Sequence, residues 1–327
     1  MKKRIALFLT FLVLFLSASI AAAETLPSVA VVVSGALGDR SFFDSAAGGL
    51  NRLIAEYGID GTIAECKEDA SLYEQSLISA AEAFDIVVAV GWQFWEPLET
   101  IAPELPDTKF IFVDNELGGI ENLVAITYAE NQGSFLVGYI AAKLTKTGII
   151  GAVGGDDNTT INNFMVGYRQ GAAYADIDVN VEISYTADYE DPAKGKEHAL
   201  ALYDKGADII FQVAGKTGEG VFEAAREVGG FAIGVDSDQK FINPDVIICS
   251  MVKEVGDSII TTVENFIKDG TFEGGVVWNA DMENGYIDVA YGDDGMPQQV
   301  PDELKAEVEA LKAKIIAGEI VVASTRD

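Results

Sequence analysis

Three observations predict an α/β protein with mainly parallel sheets flanked by helices. Short apolar runs alternate with helix-period segments through nearly the whole chain, the pattern of repeated βα units. Most of these runs are continuously apolar, as strands covered on both faces must be. At 327 residues a single core would exceed the size at which cores usually stop growing, so two sheets are favoured over one. The 49% hydrophobic content supplies a core, and 33 Gly with 8 Pro excludes collagen-like or Pro-rich chains.

The elements follow in order. Lys2, Lys3 and Arg4 precede the apolar run 5–16, and Ala21, Ala22 and Ala23 offer a cleavage site before Glu24. Residues 1–23 therefore read as a signal peptide of an exported, periplasmic or otherwise extracytoplasmic protein. The run is short for a membrane span, and no Cys stands at the cleavage point to carry a lipid. Residues 29–35 read as the first strand. A helix follows, capped by Asp39 or Ser41, with Ala46, Leu50, Leu53, Ile54 and Tyr57 on one face. Further strands are expected at 86–91, 110–114, 149–154, 181–185, 208–215 and 231–236, and helices at 72–83, 133–144, 164–174, 193–203 and 218–227. The chain divides near 128–131, where a strand meets polar residues before a new helix. Ligands of such sheets bind beyond the carboxyl ends of strands, which selects the loops after Val33, Val90, Tyr128, Val153, Tyr185, Val213 and Val235.

Composition removes several functions. A net charge of −30 cannot neutralise a phosphate backbone, so no nucleic-acid partner is expected. Cys66 and Cys249 are the only cysteines, and without a CxxC pair or a histidine cluster they form no zinc site. They read as buried thiols. His198, the one histidine, reads as a solvated helix residue. Its solitude deprives hydrolase triads and histidine-rich metal sites of their usual component. No metal or cofactor is expected.

The strand-end loops carry the candidate ligand residues. In Gly38-Asp39-Arg40-Ser41-Phe42-Phe43-Asp44, Phe43 is in register with the core face, while Phe42 lies about 100° away and projects toward a cleft. Trp92, Phe94 and Trp95 form either a stacking surface or a lid over the core. Gly215, Lys216 and Thr217 follow a strand and open a helix, but Ile210 stands where a phosphate loop needs its first glycine. Gly215, Gly218 and Gly220 instead allow close backbone approach, with amides free for a ligand oxygen. Asp236 and Asp238 end a strand without a nucleophile or a third ligand nearby in sequence, which suits hydrogen bonds to hydroxyls better than catalysis.

These residues, in this order, resemble the basic membrane protein family, whose best-known members are purine nucleoside receptors feeding ABC importers. The resemblance runs from Val29 to about Val322. It is carried by the segments 39–44, 130–139, 191–196, 206–211, 234–239 and 250–253. It implies a two-lobed type I periplasmic binding fold with three hinge crossovers. The N-terminal lobe would be 28–128 plus 252–277, and the C-terminal lobe 129–251 plus 278–327. The purine would lie between Phe42 and Tyr189. Asp236 and Lys253 would hold the ribose with help from the backbone at Gly215, and Glu130 would face the base edge. Asp39, Phe43 and Trp92 complete the expected ligand shell. Phe43 departs from the family, which commonly carries Asn there; a phenyl ring has neither the donor nor the acceptor of an amide. Together with Trp92 and Trp95 the change leaves room for riboflavin, which some relatives bind, or another flat aromatic ligand. The implied partners are a nucleoside or flavin-like ligand and an ABC transporter permease, with the protein acting as a monomer. The competing readings are a nucleoside hydrolase using Asp236 and Asp238, and a sensory receptor of the same fold.

Overall fold

The structure, a computed structural model, describes residues 26–326; the expected signal peptide lies outside them. The first lobe contains β1 (Val29–Val33), α1 (Phe42–Tyr57), β2 (Gly61–Glu65), α2 (Ala70–Ala83), β3 (Ile86–Val90), α3 (Trp95–Glu104), β4 (Lys109–Val113) and β5 (Leu123–Tyr128). The second contains α4 (Glu130–Leu144), β6 (Ile149–Gly154), α5 (Thr159–Tyr174), β7 (Asn180–Tyr185), α6 (Pro192–Asp204), β8 (Ile209–Val213), α7 (Glu219–Val228), β9 (Phe231–Asp236) and β10 (Ile247–Lys253). The chain then returns to the first lobe for α8 (Val255–Asp269) and β11 (Val277–Ala280), and ends in the second with β12 (Ile287–Ala290) and α9 (Asp302–Ile316).

Each lobe is a six-stranded sheet, ordered β11-β5-β4-β3-β1-β2 in the first and β12-β10-β9-β8-β6-β7 in the second. Every pairing is parallel except β10 with β12. Continuous apolar strands arise because both faces are covered: Val29, Val31 and Val33 enter one core cluster while Ala30 and Val32 enter another. α8 packs on α1, and α4 packs on α5, β10 and α9.

The chain crosses between lobes after β5, after β10 and after β11. The second and third crossings lie a little later than the expected 252 and 278. Val252 and Lys253 pair with Asp236 and Ile287 in the second sheet, and Trp278, Asn279 and Ala280 pair with β5 in the first. Ladder hydrogen bonds therefore carry both strands past the apolar runs that marked them. α4 and α5 begin three and five residues before the expected starts, because their first turns are polar; Asn158 Oδ1 caps α5 by accepting from the Ile161 amide. β2 was not legible as a strand, since Gly61–Glu65 is a half-exposed edge without an apolar run. Cys66 and Cys249 are free and buried.

Candidate functional site

The strand ends of the two sheets face each other across a cleft that is closed in this structure. Ser41 bridges it. Its hydroxyl is 2.8 Å from Asp236 Oδ2 and 3.1 Å from the Val235 carbonyl, so it bonds the second lobe and leaves the capping of α1 to Asp39. The Asp39 carboxylate accepts from the Ser41, Phe43 and Asp44 amides at 2.9–3.1 Å. Burial pushes its carboxyl up to about 7 against those hydrogen bonds. Gln239 Nε2 donates to the Arg40 carbonyl at 3.3 Å, and Glu190 Oε1 accepts from the Ala36 amide at 3.3 Å. The lobes are thus bonded at several points around the cleft.

Between them lies a small cavity of about 60 Å³. Phe42, Phe43 and Trp92 line it from the first lobe, and Tyr189, Gly215, Asp236 and Lys253 from the second. The two expected stacking rings therefore share one cavity from opposite lobes. Phe42 is the first residue of α1, half-buried, and meets Phe43 edge-on with ring centroids 5.3 Å apart. Phe43 belongs both to the core and to the cavity wall. The three aromatics after β3 divide their roles: Trp92 lines the cavity, Phe94 is fully buried in the core, and Trp95 stays exposed while its indole donates to the Glu116 carbonyl at 2.9 Å.

Tyr189 owes its position to backbone. Its carbonyl accepts from the Thr217 amide at 3.1 Å, and its ring covers Gly155, where a Cβ would come within 2.2 Å of Cε1. Only glycine permits that approach. Gly215 has φ +54° and begins a short 3₁₀ turn against Tyr189. Gly218 and Gly220 pack against Gln212 and the Pro192 carbonyl, so these glycines serve close packing.

The polar end of the cavity is a buried triad. Lys253, at the end of β10, places Nζ 2.9 Å from Asp114 Oδ1 and 3.6 Å from Asp236 Oδ1. The ammonium also lies 4.6 Å from the Phe42 ring centroid and 5.2 Å from that of Phe164, within cation–π range. Burial alone would pull its pKa down; Asp114, Asp236 and Glu130 outweigh burial and hold it above its ordinary value. Burial raises the Asp114 carboxyl to about 6 despite Lys253. The two aspartates are counterparts. Each follows or ends a central strand of its lobe, and each takes a left-handed backbone, φ +83° at Asp114 and +63° at Asp236, at a cost of order 1 kcal/mol each.

Glu130 departs from its expected place, and Asp238 from the competing hydrolase reading. Glu130 is fully buried and does not line the cavity. Arg326 Nη1 and Nη2 reach its two oxygens at 2.6 and 3.2 Å, and Asn163 Nδ2 donates at 2.7 Å. Burial would raise its carboxyl, but Arg326 and Lys253 hold it below its ordinary value. Fully buried and already holding three donors, Glu130 presents no oxygen to the cavity. Asp238 does not pair with Asp236: its oxygens accept from the Lys240 and Gly292 amides, at 3.1 and 3.0 Å, and it is absent from the cavity wall. His198 is half-buried, with Nδ1 2.7 Å from the Ser184 hydroxyl, and also lies away from the cavity.

The structure adds Glu68, Asp114 and Phe164 to the wall. Asp114 carried a readable signal, since it closes the run 110–114 as Asp236 closes 231–236. Phe164 looked like any core position of an amphipathic helix, and Glu68 follows the unrecognised β2. Four buried side-chain atoms of the cavity have no hydrogen-bond partner: Glu68 Oε1, Trp92 Nε1, the Tyr189 hydroxyl and Asp236 Oδ1. Of these, only Asp236 Oδ1 faces an opposite charge.

Residues 26–326 match the family model described as "ABC transporter substrate-binding protein PnrA-like". The chain belongs to the basic membrane protein (Bmp) family. Basic membrane protein A2 of Borrelia garinii subsp. bavariensis is 33% identical, over 98% of this chain and 96% of its own. The "ABC transporter nucleoside-binding protein BmpA" of Lactococcus lactis subsp. cremoris is 31% identical over 90% and 89%. Among solved structures, an ABC transporter solute-binding protein from Aeropyrum pernix K1 superposes with a TM-score of 0.83 at 29% identity, over 92% and 94%. This Bmp chain is therefore an ABC transporter substrate-binding protein with the type I periplasmic fold. Among its described residues no helix is long and apolar enough to cross a membrane.

Proposed function

We propose that this protein captures a purine nucleoside outside the cytoplasm, as a monomer, and delivers it to an ABC importer without chemical change. The observation that carries the reading is one cavity holding an aromatic ring from each lobe, Phe42 and Tyr189, beside the Asp114–Lys253–Asp236 triad. Each ring in contact with a base is worth about 1–3 kcal/mol, and rings accept any flat heterocycle. Charged hydrogen bonds to sugar hydroxyls add roughly 1.5–3 kcal/mol each, a combination that supports micromolar or tighter binding. The likeness to a protein named nucleoside-binding points the same way. Because Ser41 reaches Asp236 only across the cleft, closure and completion of the site coincide, as capture and release require.

The test is to denature the purified protein and identify the released small molecule by mass spectrometry, with calorimetric titration of inosine, adenosine and guanosine. A purine nucleoside that binds in the micromolar range or better and is recovered intact is expected. A flavin or a free sugar in the extract would replace the nucleoside reading, and free base accumulating from inosine would replace simple capture by hydrolysis.

A further inference from the structure

Glu68 stands in a place that its local backbone resists. Lys67 and Glu68 are consecutive non-glycine residues with left-handed backbones, φ +54° and +60°, a conformation L-residues adopt only when their surroundings impose it. Here the β1–β2 ladder imposes it by running past the strand ends: the Cys66, Lys67 and Glu68 amides donate to the Val33, Gly35 and Ser34 carbonyls at 2.8–3.0 Å. The turn puts Glu68 Oε1 over Gly35, 3.0 Å from where a Cβ would stand, next to the edge of the Phe43 ring.

The other carboxylate oxygen is already spoken for. The Ser34 hydroxyl donates to Gln93 Oε1 at 3.0 Å, which turns the Gln93 amide so that Nε2 faces Glu68 Oε2 at 3.5 Å. Oε1 remains buried without a partner in a cavity wall that is otherwise largely aromatic and aliphatic. A buried acceptor in that condition is costly until something donates to it.

Resting on the nucleoside reading and deepening it, we propose that Glu68 is a specificity-determining residue. Its free Oε1 accepts a hydrogen bond from an N–H on the edge of the bound heterocycle, so the cavity selects bases that carry such a donor. Burial, with Glu190, Asp156 and Asp188 of the second lobe nearby, raises the Glu68 carboxyl to about 7, so above that pH it is ionised and acts as an acceptor only. The triad at the other end cannot make this distinction, because it meets parts of the ligand that all ribosides share.

The experiment compares inosine and adenosine, which carry edge N–H groups, with purine riboside, which has the same rings and sugar but no edge donor. Titrations of the full-length protein and of Glu68→Ala and Glu68→Gln at one pH well above 7, where Glu68 is ionised, give the ratios. The parent protein is expected to bind the donor-bearing nucleosides at least about tenfold more tightly than purine riboside, the worth of one charged hydrogen bond. Glu68→Ala is expected to bring that ratio near one by losing only the donor-bearing ligands, and Glu68→Gln, which keeps an acceptor and the side chain's shape, to fall between. Equal binding of all three ligands by the parent, or an equal change for all three in both variants, would overturn the role of Glu68 and leave nucleoside binding standing. If the parent bound none of them, the nucleoside reading itself would fall, and this assignment with it. Should Glu68→Ala not fold, the Glu68→Gln ratio alone decides.

Discussion

At the Lys253 end of the cavity the protein supplies its own partners: the ammonium lies between two aspartates, and Ser41 bonds one of them from the opposite lobe. At the Glu68 end, Glu68 Oε1, Trp92 Nε1 and the Tyr189 hydroxyl are buried and unpaired. The first end is preorganised, so a polar ligand group meets charges already held in place. The second is incomplete until a ligand arrives, and an incomplete set of partners discriminates most sharply among ligands. On the proposed reading, affinity and selectivity fall to different regions of one cavity.

The comparison breaks most visibly at Lys253. Lys253→Met leaves Asp114 and Asp236 buried without their cation, and removing one partner of a buried pair costs about 3–5 kcal/mol. We expect nucleoside binding to fall at least about a hundredfold, with a lower Tm in the ligand-free protein. Unchanged affinity in a folded variant would show that the triad does not touch the ligand. Next come Phe42→Ala and Asp236→Ala, each expected to weaken binding at least about tenfold in calorimetry while circular dichroism stays native. The Phe42 loss should be similar for every nucleoside; a loss confined to one base would move selectivity to the ring.

A change of pH separates the two ends more gently. Burial raises Asp39 and Glu68 to about 7, and Asp114 to about 6, from ordinary values near 4. Between about pH 4 and 7 the folded protein therefore holds protons that the unfolded chain has released. Stability from these groups is full at the acidic side of that window and declines as pH rises through 6 and 7. The Tm of the ligand-free protein should fall between pH 5.5 and 8, and Glu68→Gln should flatten part of that fall; a Tm rising over this range would contradict the assignment. Glu130, held low by Arg326, acts in the opposite direction only at more acidic pH. The smallest effect on binding is expected from Arg326→Ala. It strips Glu130 of its cation and should lower Tm, yet leave nucleoside affinity within about threefold, because that pair lies outside the cavity wall. A tenfold loss would return Glu130 to the ligand.

Local pattern in the sequence was enough to determine the alternation of strands and helices, the division into two sheets, and the strand-end loops that hold Phe42, Trp92, Tyr189, Gly215 and Asp236. Burial on both faces and helical periodicity leave marks within a few residues of one another, and the family motifs extend the reading to Lys253. Edge elements such as β2, β11 and β12 left little mark, because half-exposed strands need no apolar run. Only the tertiary structure decided which charge meets which. Glu130 finds Arg326 across 196 positions of sequence, and Lys253 finds Asp114 across 139. The Lys253 pairing is a product of lobe closure, and the Glu130 pairing of the C-terminal segment's return to α4 within one lobe: desolvation forces each buried carboxylate to seek whatever donor the fold brings within reach, and no spacing along the chain encodes that choice.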